Sequence, residues 1–286
     1  MKSGFVTIVG RPNVGKSTIL NKIIGKQITA ISHKPQTTRH KILGILNGTD
    51  YQVIFMDTPG IFKPMYTMQR LMVKSALATL KETDVVLLVV EPFYLELDLL
   101  TQIEKPTVLA INKIDLLRDK TEVLPLVDKY KDYPMIKEIV PLSAFYNDGL
   151  AKLRDSVISY LPEGEPYYPE DFISDRPNRF FVTEIIKEHI FLLYGEEIPY
   201  AATAVVEEFK EREKGKFYIS VTIYVERDSE KMIILGADGR AIKKLGTASR
   251  RSIEKFLDHE VYLELWVKVK KQWRKDPIAL REFGYE

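Results

Sequence analysis

In the first part of the chain, short continuous apolar runs alternate with stretches whose apolar residues recur every three or four positions. Continuous runs suit strands buried on both faces, and the three-to-four spacing suits helices with one buried stripe. Val85–Val90 and Thr107–Ile111 are such runs and predict strands, and strands are also expected over Phe5–Val9 and Ile136–Leu142. Lys41–Leu46 and Tyr51–Met56 predict two more, joined at Asn47-Gly48, a dipeptide common in hairpin turns. Helices are expected from Ser17 to Ile24 and over Met65–Leu80, Lys120–Tyr130 and Asp148–Tyr160. The whole reads as α/β: a doubly wound, mostly parallel sheet with helices on both sides and one antiparallel edge hairpin.

The pattern then breaks. Pro162, Gly164, Pro166, Pro169 and Pro177 are interleaved with acidic residues and tyrosines. This places a first domain at residues 1–161, a proline-rich linker at 162–178 and a second domain at 179–286. The second domain has another order. Phe180–Tyr194 predicts a helix, and Tyr200–Phe209 and Phe217–Glu226 predict strands. Met232–Leu235 predicts a short extended segment. Arg240–Leu257 predicts a basic helix, with a break expected near Gly246. Val261–Val269 predicts a strand and Pro277–Phe283 a closing helix. This is a smaller α+β domain.

Composition narrows the field. The chain has 286 residues and no cysteine, which excludes disulfides, thiol catalysis and cysteine-based zinc sites and fits a reducing compartment. Met1–Phe5 leads directly into a strand with no apolar signal segment, and the longest apolar run, Val85–Val90, is too short to span a bilayer. The reading is cytoplasmic. Net charge is only +2, yet from Ser229 to Lys275 basic residues outnumber acidic ones two to one, a bias that attracts nucleic acid. His33, His40, His189 and His259 show no metal-ligand spacing.

Gly10-Arg-Pro-Asn-Val-Gly15-Lys16-Ser17 fits the phosphate-binding loop and stands where that loop must, after a strand and before a helix. Its glycines let backbone N–H groups converge on phosphate oxygens, and the helix dipole points at the same anion. Lys16 supplies charge to the terminal phosphates, and the Ser17 hydroxyl is placed for magnesium. Asp57-Thr58-Pro59-Gly60 follows the strand expected over Tyr51–Met56. Asp57 can hold the metal through water, and Gly60 can offer its N–H to a γ-phosphate. Asn112-Lys113-Ile114-Asp115 brings a carboxylate able to accept from guanine N1–H and the N2 amine, a donor pair that adenine lacks. Backbone N–H groups of Ser143-Ala144-Phe145 stand at the same sheet edge for guanine O6. The candidate nucleotide contacts from these motifs are Gly10, Val14, Gly15, Lys16, Ser17, Thr18, Asp57, Gly60, Asn112, Lys113, Asp115, Ser143 and Ala144. Lys16 and Gly60 are candidates for catalysis, and Ser17 and Asp57 for the metal.

The first domain resembles translation-factor-type GTPases. In that class Lys34-Pro-Gln-Thr37-Thr38-Arg39 is the first switch loop, with Thr38 preferred over Thr37 for metal and γ-phosphate, and residues 26–39 are expected to be mobile without GTP. Where Ras-like proteins carry a water-orienting glutamine, this chain has Ile61, which predicts slow intrinsic hydrolysis. Asn13 matches the cation-binding asparagine of potassium-stimulated GTPases, which predicts a bound K+.

In the second domain, Ile234, Gly236, Ala237, Asp238, Gly239, Arg240, Lys243, Lys244 and Arg250 are the RNA-binding candidates. Gly-x-x-Gly alone is a weak signal, but here an apolar run precedes it and a basic helix follows, the layout of a type II KH domain that clamps single-stranded RNA. Trp266 and Trp273 lie among cations, which suits a nucleic-acid surface, although strand alternation favours core packing for Trp266.

With Gln36-Thr-Thr-Arg39 and Leu263-Glu-Leu-Trp-Val-Lys-Val-Lys270 added, nearly the whole chain resembles the Era-like family: a P-loop GTPase domain followed by a type II KH domain. The resemblance implies GTP and GDP as ligands, Mg2+, and slow hydrolysis to GDP and phosphate. It implies a monomer that binds single-stranded RNA near the 3′ end of 16S ribosomal RNA and acts in maturation of the small (30S) subunit. It also implies peripheral association with the inner face of the cell membrane. Two other readings stay open: an RNA-linked GTPase of tRNA modification or signalling, and a nucleotide-binding scaffold that never turns over.

Overall fold

The structure, a computed structural model, describes every residue except 33, 35, 95, 96 and 286, and every other side chain except those of 97 and 98. The reading of His33 falls outside the described residues. The chain divides into two compact units. The first comprises Met1–Thr29, Thr38–Lys63 and Met72–Asp175; the second comprises Ala30–Thr37, Pro64–Leu71 and Arg176–Glu286.

The first unit holds β1 (Lys2–Val9), β2 (Ile42–Asn47), β3 (Tyr51–Asp57), β4 (Val85–Val90), β5 (Thr107–Ile111) and β6 (Ile136–Pro141) in one sheet of order β2-β3-β1-β4-β5-β6. Only the β2–β3 pair is antiparallel. Every residue of β4 and β5 is buried, as unbroken apolar runs between two helix layers require. The helices are α1 (Lys16–Ile24), α2 (Thr67–Thr79, in this unit from Met72 on), α3 (Leu97–Leu100), α4 (Leu124–Tyr130) and α5 (Leu150–Ser159). The helix expected over 120–130 is two pieces. Asp119 accepts from the Thr121 N–H at 2.8 Å to cap a 3-10 turn, Lys120–Val123, and Pro125 then opens α4, where its missing N–H costs nothing.

The proline-rich stretch lies along the first unit. The Ile45 N–H donates to Ile173 O at 2.9 Å and Ser174 Oγ to Leu43 O at 2.5 Å, so backbone groups on the edge strand β2 are satisfied. Gln52 accepts from the N–H groups of Tyr167 and Tyr168 at 2.7 and 2.9 Å.

The second unit holds α6 (Asn178–Leu193), α7 (Ile198–Ala201), β7 (Thr203–Lys210), β8 (Phe217–Val225), α8 (Asp228–Leu235), α9 (Arg240–Leu257), β9 (Val261–Val269) and α10 (Pro277–Glu282). Its sheet order is β7-β8-β9, the first pair antiparallel and the second parallel. Apolar residues of α6 and α9 pack with Ile219, Val221, Ile223 and Val225 of β8 into one core.

Three expectations change here. Met232–Leu235 is not extended; it is the last turn of α8. The start signals lie upstream and are polar: Glu230 Oε2 accepts from the N–H groups of Glu226 and Arg227 at 2.8 and 3.0 Å, with Asp228 also in the first turn. The β-branched Ile233-Ile234 pair hid them. Helix α9 runs unbroken through Gly246, where an added Cβ would make ordinary contact with Leu265 at 3.4 Å. Trp266 is 54% exposed and Trp273 is fully buried, its Nε1 donating to Ala201 O at 2.8 Å. On β9, Val261 and Val267 are buried and face the core, so the even-numbered Trp266 points outward.

The segments that flank the phosphate site in sequence belong to this second unit. Lys34 Nζ donates to Phe191 O at 2.6 Å and also to Tyr194 O. Gln69 donates to Gln36 at 3.1 Å, the Met68 N–H donates to Arg274 O at 3.2 Å, and the Arg274 guanidinium sits 5.2 Å from the Tyr66 ring centroid.

Candidate nucleotide and nucleic-acid sites

The phosphate loop is shaped by backbone angles that side chains resist. Gly10 has φ 145 and Gly15 φ 102. A Cβ on Gly10 would stand 2.2 Å from Val89 O, and one on Gly15 2.1 Å from the Asn112 amide nitrogen. Asn13 also lies at positive φ, 66, a conformation that asparagine tolerates better than most residues. Lys16 is 6% exposed and donates to the carbonyls of Gly10 at 3.0 Å and Arg11 at 2.7 Å, so its ammonium lies inside the loop. Val14 is buried and Thr18 half-buried on the first turns of the site.

Ser17 Oγ lies 2.9 Å from both Thr38 Oγ1 and Asp57 Oδ2. Thr37 does not join them; its hydroxyl donates to Lys34 O at 2.9 Å. Asp57 is fully buried, and its Oδ1 has no hydrogen-bond partner. Burial pushes its carboxyl up to about 6, against the pull of the Lys16 ammonium and the Ser17 and Thr38 hydroxyls. Gly60 approaches the loop so closely that a Cβ would stand 2.7 Å from Pro12 N. Ile61 packs partly buried on apolar core residues, and its N–H donates to Gly10 O at 3.3 Å.

Asn112 joins three motifs. It is 2% exposed, donates to Val14 O at 2.8 Å and accepts from the Ala144 N–H at 2.9 Å. Losing either bond leaves a buried polar group unpaired, at about 1–3 kcal/mol. Lys113 donates to Asn13 O at 2.7 Å and pairs with the Glu91 carboxylate. Asp115 is exposed in the 3-10 turn Ile114–Leu116. Ser143 exchanges backbone hydrogen bonds with Asp148, both 3.0 Å, which closes the Ser143–Asp148 loop. These groups and the loop Gly10–Ser17 all stand at carboxyl ends of parallel strands, where such sheets bind ligands.

In the second unit, Gly236 (φ 69), Asp238 (φ 52) and Gly239 (φ 71) form a left-handed turn between α8 and α9. A Cβ on Gly236 would stand 2.6 Å from that of Ala241, whereas one on Gly239 meets nothing within 4 Å. Ile234 is fully buried beneath the turn. Arg240 donates to Ala237 O at 3.2 Å and lies 3.9 Å from Asp238. Lys243 and Lys244 are exposed; Arg250 is half-buried and paired with Glu254 at 3.0 Å. No acid occupies the first turn of α9, so its positive end is open to an anion.

Two family models match the chain: a 50S ribosome-binding GTPase over residues 5–113 and a KH domain over 197–274. GTPase Era of Syntrophus aciditrophicus is 46% identical over 292 residues, spanning 99% of this chain and 95% of that protein. GTPase Era of Clostridium tetani is 45% identical and covers 99% of each. The chain belongs to the Era GTPase family. A variant of Aquifex aeolicus Era bound to GDP and AlF4− superposes with a TM-score of 0.95 at 40% identity, covering 100% of this chain and 99% of that one. An Era complex with MgGDPNP and nucleotides 1506–1542 of 16S ribosomal RNA gives the same values.

The Era-family donor set fits magnesium. Two hydroxyls and a carboxylate converge, all hard oxygens, and Asp57 Oδ1 is a buried acceptor without a partner. Glu91 is a partner of Lys113 that the sequence reading did not single out. It belongs to no motif, yet it directly follows β4 at the ligand end of the sheet and pairs with Lys113. Among the described residues, no helix is long and apolar enough to cross a membrane.

Proposed function

We propose that this chain is a GTP-hydrolysing switch that holds single-stranded RNA near the 3′ end of 16S ribosomal RNA and acts in maturation of the small ribosomal subunit. The observation that carries it is Asn112, buried between Val14 O and the Ala144 N–H: a phosphate loop and a guanine loop tied into one rigid site. Full-length likeness to an Era structure holding MgGDPNP and that RNA segment supports the second half.

Each residue then has a task. Gly10 to Ser17 wrap the phosphates with N–H groups, and Lys16 neutralises the terminal ones. Ser17, Thr38 and, through water, Asp57 would hold magnesium, which would supply positive charge to the phosphates. The Gly60 N–H donates to the γ-phosphate, and Thr38 draws its segment toward it. The Lys113 stem flanks guanine while Asp115 accepts from N1–H and N2, and the Ser143 and Ala144 N–H groups meet O6. Ile61 offers nothing to orient the attacking water, so hydrolysis is slow. Asn13 would hold a potassium ion that would supply positive charge there; equal hydrolysis rates in potassium and sodium buffers would remove this role. Gly236 and Gly239 admit the RNA backbone, with Arg240, Lys243 and Lys244 on its phosphates. The chain works in the cytoplasm, with peripheral contact at the inner membrane face.

Thermodynamic coupling requires that GTP tighten RNA affinity by the factor that RNA tightens GTP. Crosslinking and sequencing of RNA from cells, on the GTP-analogue form, tests both halves. Enrichment of the 16S 3′ end is expected; enrichment of transfer RNA instead would replace this reading.

A further inference from the structure

The outward face of the second unit's sheet carries a feature that the Gly236–Gly239 loop does not use. Helices α6 and α9 cover the inner face, and the loop joins α8 to α9 on that side. On the outer face, β9 presents Tyr262 and Trp266, 60% and 54% exposed. They are four residues apart on one strand, about 13 Å along it. Tyr262 stacks on Tyr218 of β8, with centroids 6.0 Å apart at 16°, and Lys210 lies 5.7 Å from the Tyr218 ring centroid. The face is thus a row of aromatic rings on a rigid strand.

Charge says what such a row receives. From Leu265 to Lys275 the chain has five cations and no acid. Lys270 pairs with Glu282 and Arg274 with Glu226, while Lys268, Lys271 and Lys275 are exposed. The outer-face acids near the rings are engaged: Glu264 accepts from the Tyr218 hydroxyl at 2.6 Å and Glu208 pairs with Lys210 at 2.8 Å. Aromatic rings beside cations bind single-stranded nucleic acid without sequence preference: bases stack and lysines take phosphates. A lipid surface fits less well. It would carry the Glu264 carboxylate into an apolar layer, where one hydrogen bond from Tyr218 does not replace the water lost.

We propose that this face is a second single-stranded RNA contact, with Trp266 stacking a base and Lys268 and Lys271 taking phosphates, outside the Gly236–Gly239 clamp. It rests on the reading of this unit as an RNA binder. It extends the footprint by nucleotides that the clamp does not hold.

The chain has two tryptophans, and Trp273 is buried, so quenching by acrylamide or by a stacked base reports Trp266. The probe is RNA copying nucleotides 1506–1542 of 16S ribosomal RNA, on full-length protein with a GTP analogue. Saturation should quench and shield the Trp266 emission. Trp266→Ala should weaken binding about tenfold, and Trp266→Phe should recover most of it. Lys268→Gln with Lys271→Gln should lower the salt slope of binding by about 2, and this pair decides the matter if Trp266→Ala fails to fold. Unchanged emission together with unchanged affinity of these variants would overturn the proposal, and Gly236→Asp losing RNA in the same assay would leave the clamp intact. Absence of RNA binding by the wild-type chain would overturn both. A blue shift on phosphatidylglycerol vesicles with no response to RNA would overturn it in favour of a membrane contact.

Discussion

The phosphate loop and the Gly236–Gly239 loop are both glycine turns ahead of a helix, yet they are built in opposite ways. Around Gly10 and Gly15 the space that a Cβ would need is filled by backbone and by the Asn112 amide, and Lys16 lies inside the loop. Around Gly239 nothing lies within 4 Å, and Lys243 and Lys244 stand in solvent. A small anion of fixed shape demands converging, pre-set donors that cost no reorganisation on binding. A polymer of variable sequence needs close backbone approach and charge, which an open turn with exposed lysines supplies. The difference teaches that a shared glycine spacing carries little meaning until the packing around it is known.

Substitutions can break this contrast, the largest effect first. Gly10→Ala should abolish measurable GTP binding, because the added carbon would stand 2.2 Å from Val89 O; calorimetry showing binding within tenfold of wild type would refute the rigid-loop account. In the other loop the two glycines should separate. Gly236→Ala must displace Ala241 and should weaken RNA binding more than tenfold, whereas Gly239→Ala should cost only the left-handed backbone, about 1–2 kcal/mol of stability by denaturant titration, and little affinity.

Asp57 offers a pH test. Its folded value of about 6 lies above the ordinary 3.8, so the fold prefers the protonated acid. That preference is complete below about pH 4 and is lost as pH climbs through about 6. Asp57→Asn should therefore raise the melting temperature of nucleotide-free protein at pH 8, by at most about 3 kcal/mol in stability, and leave it unchanged at pH 4. It should also remove the magnesium dependence of GTP binding. The smallest effect belongs to Glu91→Gln, which frees Lys113 from a partly exposed pair. GTP and GDP affinities should both fall about two- to fivefold, measured by fluorescent-nucleotide displacement, with the Glu91 effect absent in a Lys113→Ala background.

Much of the nucleotide site was legible because its chemistry constrains residue type. A backbone that wraps phosphate needs glycine at set spacing, and each motif follows a strand whose apolar run is unmistakable, as Val85–Val90 and Thr107–Ile111 are. Of the two threonines in the switch segment, Thr38 lies beside Ser17 and Thr37 donates to Lys34 O. Legibility fell where the signal lay outside the segment that carries the residue. Helix α8 announces itself at Glu226–Glu230, not at Met232–Leu235. Glu91 has meaning only beside Lys113, which is distant in sequence.

The sequence by itself determined the two architectures, the phosphate and guanine motifs, the glycine turn and the basic bias of the C-terminal part, because apolar period and glycine placement are local properties of the chain. Only the tertiary structure decided which tryptophan is outside, since strand register and a C-terminal turn set Trp266 outward and bury Trp273. It alone brought Ala30–Thr37 and Pro64–Leu71 into the second unit, through Lys34 on Phe191 and Tyr194 and through Arg274 on Tyr66. Those contacts join residues far apart along the chain, and no local pattern encodes a partner that folding alone brings near.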